Sequence, residues 1–203
     1  MVISYFAVDL ASSPFLATSA FNVTDWPARV YPAIHVFGKT YQGQVESALT
    51  FDLLRIGTPI YAPFDGTIQD VVNQPTSCDT EMYFVDGNND SRNHMSYDHV
   101  IPLDRFRTRG AAFRAGEQIA TIGAWECTER FGRVEMMVIN APTGSTTPTR
   151  SRCPLVLLDT TKRSSMLALI SSVMDWWNSL GPASAYTASE RTNGLCATEF
   201  GPL

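Results

Sequence analysis

The sequence predicts an all-β domain, a barrel or sandwich, followed by one C-terminal helix. Three observations predict it. Short β-prone runs recur through the middle of the chain, each ended by turn residues. A single stretch, 163–179, repeats its apolar residues at three- and four-residue steps. No run of apolar residues is long enough to span a membrane, and no repeat of solenoid length occurs.

The elements follow in order. Residues 1–34, turn-rich with Pro14, Pro27 and Pro32, read as an N-terminal arm or an added strand pair. The β domain covers 35–158, and a helix and tail cover 159–203. A strand is expected over 45–54. A second run, 59–62, leads into Pro63-Phe64-Asp65-Gly66, where Asp-Gly marks a tight turn before 67–72. The strand over 81–85 ends in the polar loop 86–90. Strands over 95–101, 118–122 and 133–140 complete the domain. Residues 141–152, rich in Thr, Ser and Pro, read as a surface loop. In the helix, Met166, Leu167, Ile170, Val173, Met174 and Trp177 share a face; Asp159 or Thr160 is the expected cap, and Gly181-Pro182 the stop.

Composition narrows the function classes. At 44% hydrophobic and 17% charged, the 203 residues can bury a sizeable core. The net charge of −5 and the lack of a basic stripe argue against a nucleic-acid partner. Arg105, Arg107, Arg109 and Arg114 form a local basic cluster that reads as a solvated face. The four cysteines, with no C-x-x-C pair, fit disulfides better than a zinc knuckle. Three pairings are open, and nearness along the chain suggests Cys127–Cys153 with Cys78–Cys196; four buried thiols are the alternative. Sequons at Asn22 and Asn89 tilt toward an extracellular, glycosylated protein, although no basic start of a signal peptide is visible. No G-x-S-x-G, phosphate loop or dinucleotide fingerprint occurs.

Three segments carry a resemblance. The first runs from Phe51-Asp52-Leu53-Leu54 through Gly57-Thr58-Pro59-Ile60-Tyr61-Ala62 to Gly66-Thr67-Ile68. The second is Ser96-Tyr97-Asp98-His99-Val100, followed by Phe113 to Gly123 with Gly116 and Ile119 in phase. The third is Gly132-Arg133-Val134-Glu135-Met136-Met137-Val138. In order and spacing these resemble the lysostaphin/LytM-type zinc metalloendopeptidases, which cleave peptide cross-bridges in bacterial cell walls. The resemblance covers about half of the chain and implies a duplicated hybrid motif barrel with an open groove across one sheet.

The resemblance implies much less of the chemistry. The family holds zinc with a histidine, an aspartate four residues later and the second histidine of an H-x-H strand. Here Asp52 takes the aspartate position, but Ala48 stands four residues before it, and Arg133 and Glu135 occupy H-x-H. Of the family's histidines only His99 remains. The chain therefore reads as a degenerate member: a pseudoenzyme, with no cofactor, whose former groove binds a peptide, glycan or protein through Tyr97, His99, Arg133 and Glu135. A role within a larger extracellular or virion assembly is a further possibility. The alternative is a hydrolase with a rebuilt site, in which Asp52 and Glu135 hold Zn2+ or another divalent metal and His99 is the catalytic base or oxyanion partner. His35 or His94 would then be the third ligand. Alternation places Arg133, Glu135 and Met137 on one face and Val134, Met136 and Val138 on the other.

Overall fold

The computed structural model describes residues 1–16, 31–87, 93–124, 127, 130–140, 150–182, 184–193 and 195–202. Both sequons, at Asn22 and Asn89, lie outside the described residues, as do positions 141–149 of the expected loop. The described strands are β1 (Thr40–Tyr41), β2 (Gln44–Val45), β3 (Leu49–Leu54), β4 (Pro59–Tyr61), β5 (Gly66–Gln74) and β6 (Asp79–Asp86). They continue as β7 (Asn93–Pro102), β8 (Ala112–Phe113), β9 (Gln118–Ile122), β10 (Gly132–Asn140), β11 (Arg150–Arg152) and β12 (Phe200–Gly201). Helices α1 (Arg163–Ser179) and α2 (Ala188–Asn193) lie near the C-terminus. The all-β class with one main helix is as expected, and β11 occupies the end of the segment read as loop.

Every pairing between these strands is antiparallel. The large sheet runs β12-β11-β10-β7-β6-β5-β8, with β3, β4 and β9 attached to its side. Strand β10 is one of its interior strands. Glu135 pairs with both Thr50 of β3 and Asp98 of β7, so those two strands flank β10 on opposite edges. Val134, Met136 and Val138 of β10 are buried in the core, while Arg133, Glu135 and Met137 stand half-buried on the other face, as alternation requires.

The Asp65-Gly66 dipeptide does not close a hairpin. Strand β4 pairs with β9 and β5 pairs with β6 and β8, so the dipeptide is a corner between strands with different partners. Gly66 is needed there for space: a Cβ would lie 2.3 Å from the Val85 carbonyl oxygen. Gly132 at the start of β10 is held as closely, since its Cβ would meet Ile122 Cγ2 at 2.1 Å.

The N-terminal residues are part of the core. Ile3, Phe6, Ala7, Val8, Leu10 and Phe15 are all buried, and isolated bridges join Ile3 to Leu158 and Phe15 to Leu54. Helix α1 buries Met166, Ile170, Val173, Met174 and Trp177, and Phe15 packs on Trp176 at 5.4 Å. The expected cap is not used. The Asp159 carboxylate accepts from the Thr161 N–H in the turn before the helix, and the helix starts at Arg163 with Lys162 at the N-cap and no side-chain cap bond.

Beyond α1, the phenol of Tyr186 accepts from the Ile34 N–H and donates to the Ile34 carbonyl, both at 2.7 Å. Phe37 bridges Cys196, with the Phe37 N–H donating to Leu195 O and the Ala197 N–H to Phe37 O. The C-terminal segment thus clamps residues 34–37 against β3.

The disulfides are Cys78–Cys127 and Cys153–Cys196, which corrects the pairing expected from nearness along the chain. Sheet topology decides instead: Cys196 reaches Cys153 because its segment pairs with residue 37 and, through β12, with β11. Replacing Cys153 and Cys196 together by serine removes the crosslink across this clamp. The expected loss is about 3–4 kcal/mol in urea unfolding, the scale for a loop of this size.

Candidate functional site

Two strand bulges build the site. On β3, Leu53 adopts a left-handed backbone with φ 56°, and its N–H donates to the carboxylate of its own neighbour, Asp52 (2.8 Å). The β3–β10 register shifts there, so Arg133 faces the Asp52–Leu53 step. On β7, His99 has φ 63°, and its N–H donates to Asp98 Oδ1 at 2.8 Å. The β6–β7 register shifts at that point. Left-handed backbone at a non-glycine residue is costly, and an Asp carboxylate that accepts the strained N–H offsets part of the cost at both steps.

The charged side chains form one continuous series. Glu46 Oε2 lies 2.7 Å from His35 Nδ1, and His35 Nε2 lies 3.3 Å from Asp52 Oδ2. Arg133 follows, with one terminal nitrogen 3.7 Å from Asp52 and the other 3.5 Å from Glu135. His99 Nε2 is 3.7 Å from Glu135, and His99 Nδ1 is 2.7 Å from Asp79 Oδ2. Negative and positive groups alternate through seven residues, with Arg133 at the middle. On each side of it stands a histidine held at Nδ1 by one carboxylate and aimed by Nε2 at another.

The fold delivers these groups from six pieces of chain. The β1–β2 hairpin returns the chain to Glu46, whose N–H and carbonyl bond to Lys39 and Gly38. His35 lies beside β3, with its N–H on the Thr50 carbonyl, and its ring stacks on Tyr31 at 4.9 Å. Asp79, His99 and the Arg133–Glu135 pair come from β6, β7 and β10.

Burial disfavours the charges of His35, Asp52, Arg133, Glu135 and His99, and their partners outweigh it. Asp52 and Glu135 are held below the usual carboxylate range, chiefly by His35 and Arg133 for the first and by His99 and Arg133 for the second. Burial lowers the His99 pKa, but Asp79, Glu135 and Asp98 overcome it and push the imidazole up to about 9. His35 is raised in the same way, against burial, by Asp52 and Glu46. Toward β6 the balance tips. Burial, with Glu135 nearby, raises Asp98; burial, with Asp98 and Glu135 nearby, raises Glu81.

Of the residues singled out from the sequence, Asp52, His99, Arg133 and Glu135 come together. Tyr97 does not. It is fully buried, with its ring edge-on to Phe84 at 4.8 Å, so it faces the core and does not rim a groove. The reason is the bulge at His99, which breaks the two-residue alternation and turns Asp98 and His99 to the charged face together. His94 pairs with Ile139, at the far end of β7 from Asp98. It is His35 that joins Asp52. Glu46 and Asp79 carried no signal in the sequence, since neither belongs to a motif. Asp79, Asp98 and His99 also bring one ligand atom each within 4.8 Å of one another.

No protein-family profile matches the chain, and no curated protein does. Solved structures are similar to it. Lysostaphin aligns over 57% of this chain and 46% of its own, at 17% identity and a TM-score of 0.45. A zinc-containing peptidase from Vibrio cholerae aligns over 68% and 36%, at 17% identity and 0.44. The catalytic domain of the antimicrobial peptidase lysostaphin from Staphylococcus simulans aligns over 62% and 87%, at 18% identity and 0.44. The likeness is to the fold of lysostaphin-type peptidases. It spans less than half the length of whole lysostaphin, and at these scores it concerns the course of the strands alone.

The raised His99 pKa gives a stability signature. A histidine with a raised folded-state pKa stabilises fully below its ordinary value of 6.5 and stops doing so as pH climbs through about 9. Urea unfolding is therefore expected to show a loss on the order of 3 kcal/mol across that window. His99→Gln removes that slope.

Proposed function

We propose that this chain is a non-catalytic binding module that uses the face formed by Asp98, His99, Arg133 and Glu135. The observation that carries this reading is the guanidinium of Arg133 between Asp52 and Glu135. A catalytic zinc needs about three protein ligands and an open position for water. The donor set around Asp52 and Glu135 does not fit that need. Asp52 is fully buried, and its oxygens face His35, Arg133 and the Leu53 N–H. A fixed positive charge beside both carboxylates opposes a metal cation.

What remains is a half-buried row of donors and acceptors across β10, β7 and β6, which suits the polar backbone of a peptide or the hydroxyls of a glycan. The resemblance to cell-wall endopeptidases makes peptidoglycan the first ligand to try. Two disulfides favour an oxidising, extracellular setting. No described helix is long and apolar enough to cross a membrane.

A second reading, a metal-dependent hydrolase around Asp52, His99 and Glu135, has one observation in its favour. Asp79 orients His99 through Nδ1 at 2.7 Å, as a carboxylate orients a general base. One experiment separates the two. The protein is expected to co-sediment with insoluble bacterial peptidoglycan without releasing soluble fragments. Asp98→Asn combined with Glu135→Gln is expected to weaken that capture about tenfold or more, roughly 1.4 kcal/mol. Capture unchanged by the pair would remove the face from the binding site, and chelator-sensitive release of fragments would establish the hydrolase.

A further inference from the structure

We infer that Arg133 is a resident cation that closes a His35–Asp52–Glu135 ligand set to metal ions, and that removing its guanidinium opens this set to zinc. The inference rests on reading the wild-type face as free of metal, and it goes further by naming the residue that excludes the ion and the ligands that would take it.

The geometry around Arg133 is that of a filled cation site. Its two terminal nitrogens face one oxygen each of Asp52 and Glu135, at 3.7 and 3.5 Å. Deleting the side chain leaves two carboxylates aimed at one vacated space, which is costly unless another cation enters. Beside Asp52 stands His35 Nε2 at 3.3 Å, while its Nδ1 is engaged by Glu46. An imidazole fixed at one nitrogen by a carboxylate, with the other turned toward a second ligand, is the usual outer-shell support of a metal-binding histidine. His99 repeats the arrangement on the other side, with Asp79 on Nδ1 and Nε2 at 3.7 Å from Glu135.

A separate observation points the same way. Thr50 is fully buried and its Oγ1 has no hydrogen-bond partner among the described residues. Thr50 is two residues from Asp52 on β3 and directly across from Glu135 on β10. An unsatisfied buried hydroxyl between two proposed ligands marks a place where a polar occupant is wanted. Imidazole with carboxylates suits zinc among the common divalent ions, whereas magnesium and calcium prefer oxygen alone.

The test compares the full chain, wild type against Arg133→Ala and Arg133→Met. Each is stripped with chelator, desalted, exposed to zinc chloride and assayed for bound metal and for thermal unfolding. The variants are expected to retain about one zinc per chain and to melt higher with zinc than without, whereas the wild type retains far less than one and does not shift. Adding His35→Ala or Glu135→Ala to Arg133→Ala is expected to abolish the retained zinc. If a variant is unfolded without metal, zinc is expected to restore its fold.

Variants that are folded and take no zinc, unfolded variants that zinc does not rescue, or zinc that survives loss of His35 and Glu135 would each overturn the inference while leaving the binding reading intact. Stoichiometric zinc on the wild type, lost with His35→Ala, would overturn both.

Discussion

The structure depends on the compensation of buried charge around Arg133. An arginine and two carboxylates at the centre of a sheet are strongly unfavourable unless every charge faces an opposite one. Here that condition ties together elements far apart in the chain. Glu46 from the β1–β2 hairpin and His35 from the segment before it serve Asp52. Asp79 at the start of β6 serves His99, which faces Glu135. The series is complete only when β3, β6, β7 and β10 are all in register. Closing it therefore selects one register among those that the apolar faces alone would allow.

The two bulges are the local devices that make this arrangement possible, and they are alike. Each pairs an aspartate with a following residue in the left-handed region, and each sits where a strand edge changes partner. The free edge of β3 passes from residues 33–35 to residues 14–16 at Leu53. One edge of β7 passes from β10 to β9 just after Asp98. A strand that must change partner twists, and an extra residue absorbs the twist. Asp52 binds the strained N–H with one oxygen and has the other left for the charge series, and the second oxygen of Asp98 lies 3.8 Å from His99 Nε2, so backbone relief and site construction use the same side chains.

This explains what could be read from the sequence and what could not. Alternation along 133–138 was enough to put Arg133 and Glu135 on one face, because β10 is regular there. The period of α1 was enough for its buried stripe. Tyr97 was placed beside His99 in the groove by the resemblance of its Tyr-x-His strand, and that failed because nothing local announces a left-handed histidine inside a strand. Glu46 and Asp79 were invisible for a different reason, and His35 could be named only as one of two candidate third ligands. Each reaches the site through long-range pairing, and a histidine ahead of the barrel carries no motif to mark it. The disulfides were misread on the same ground, since distance along the chain says little about distance across a sheet.

A charge network of this kind is not what stability alone favours. Well-packed apolar residues of similar volume often serve a core as well or better. Nor is the compensation even. Around Arg133 the carboxylates are held low, whereas burial and neighbouring negative charge raise Glu81 and Asp98 at the β6–β7 side. The raised pair is half-buried on the same face as Glu135. Carboxylates kept in mutual repulsion at the margin of an otherwise matched network are unfavourable for the free protein, and a ligand bringing donors or positive charge would relieve that repulsion. The imbalance lies beside His99, at the side of the charged face away from Arg133.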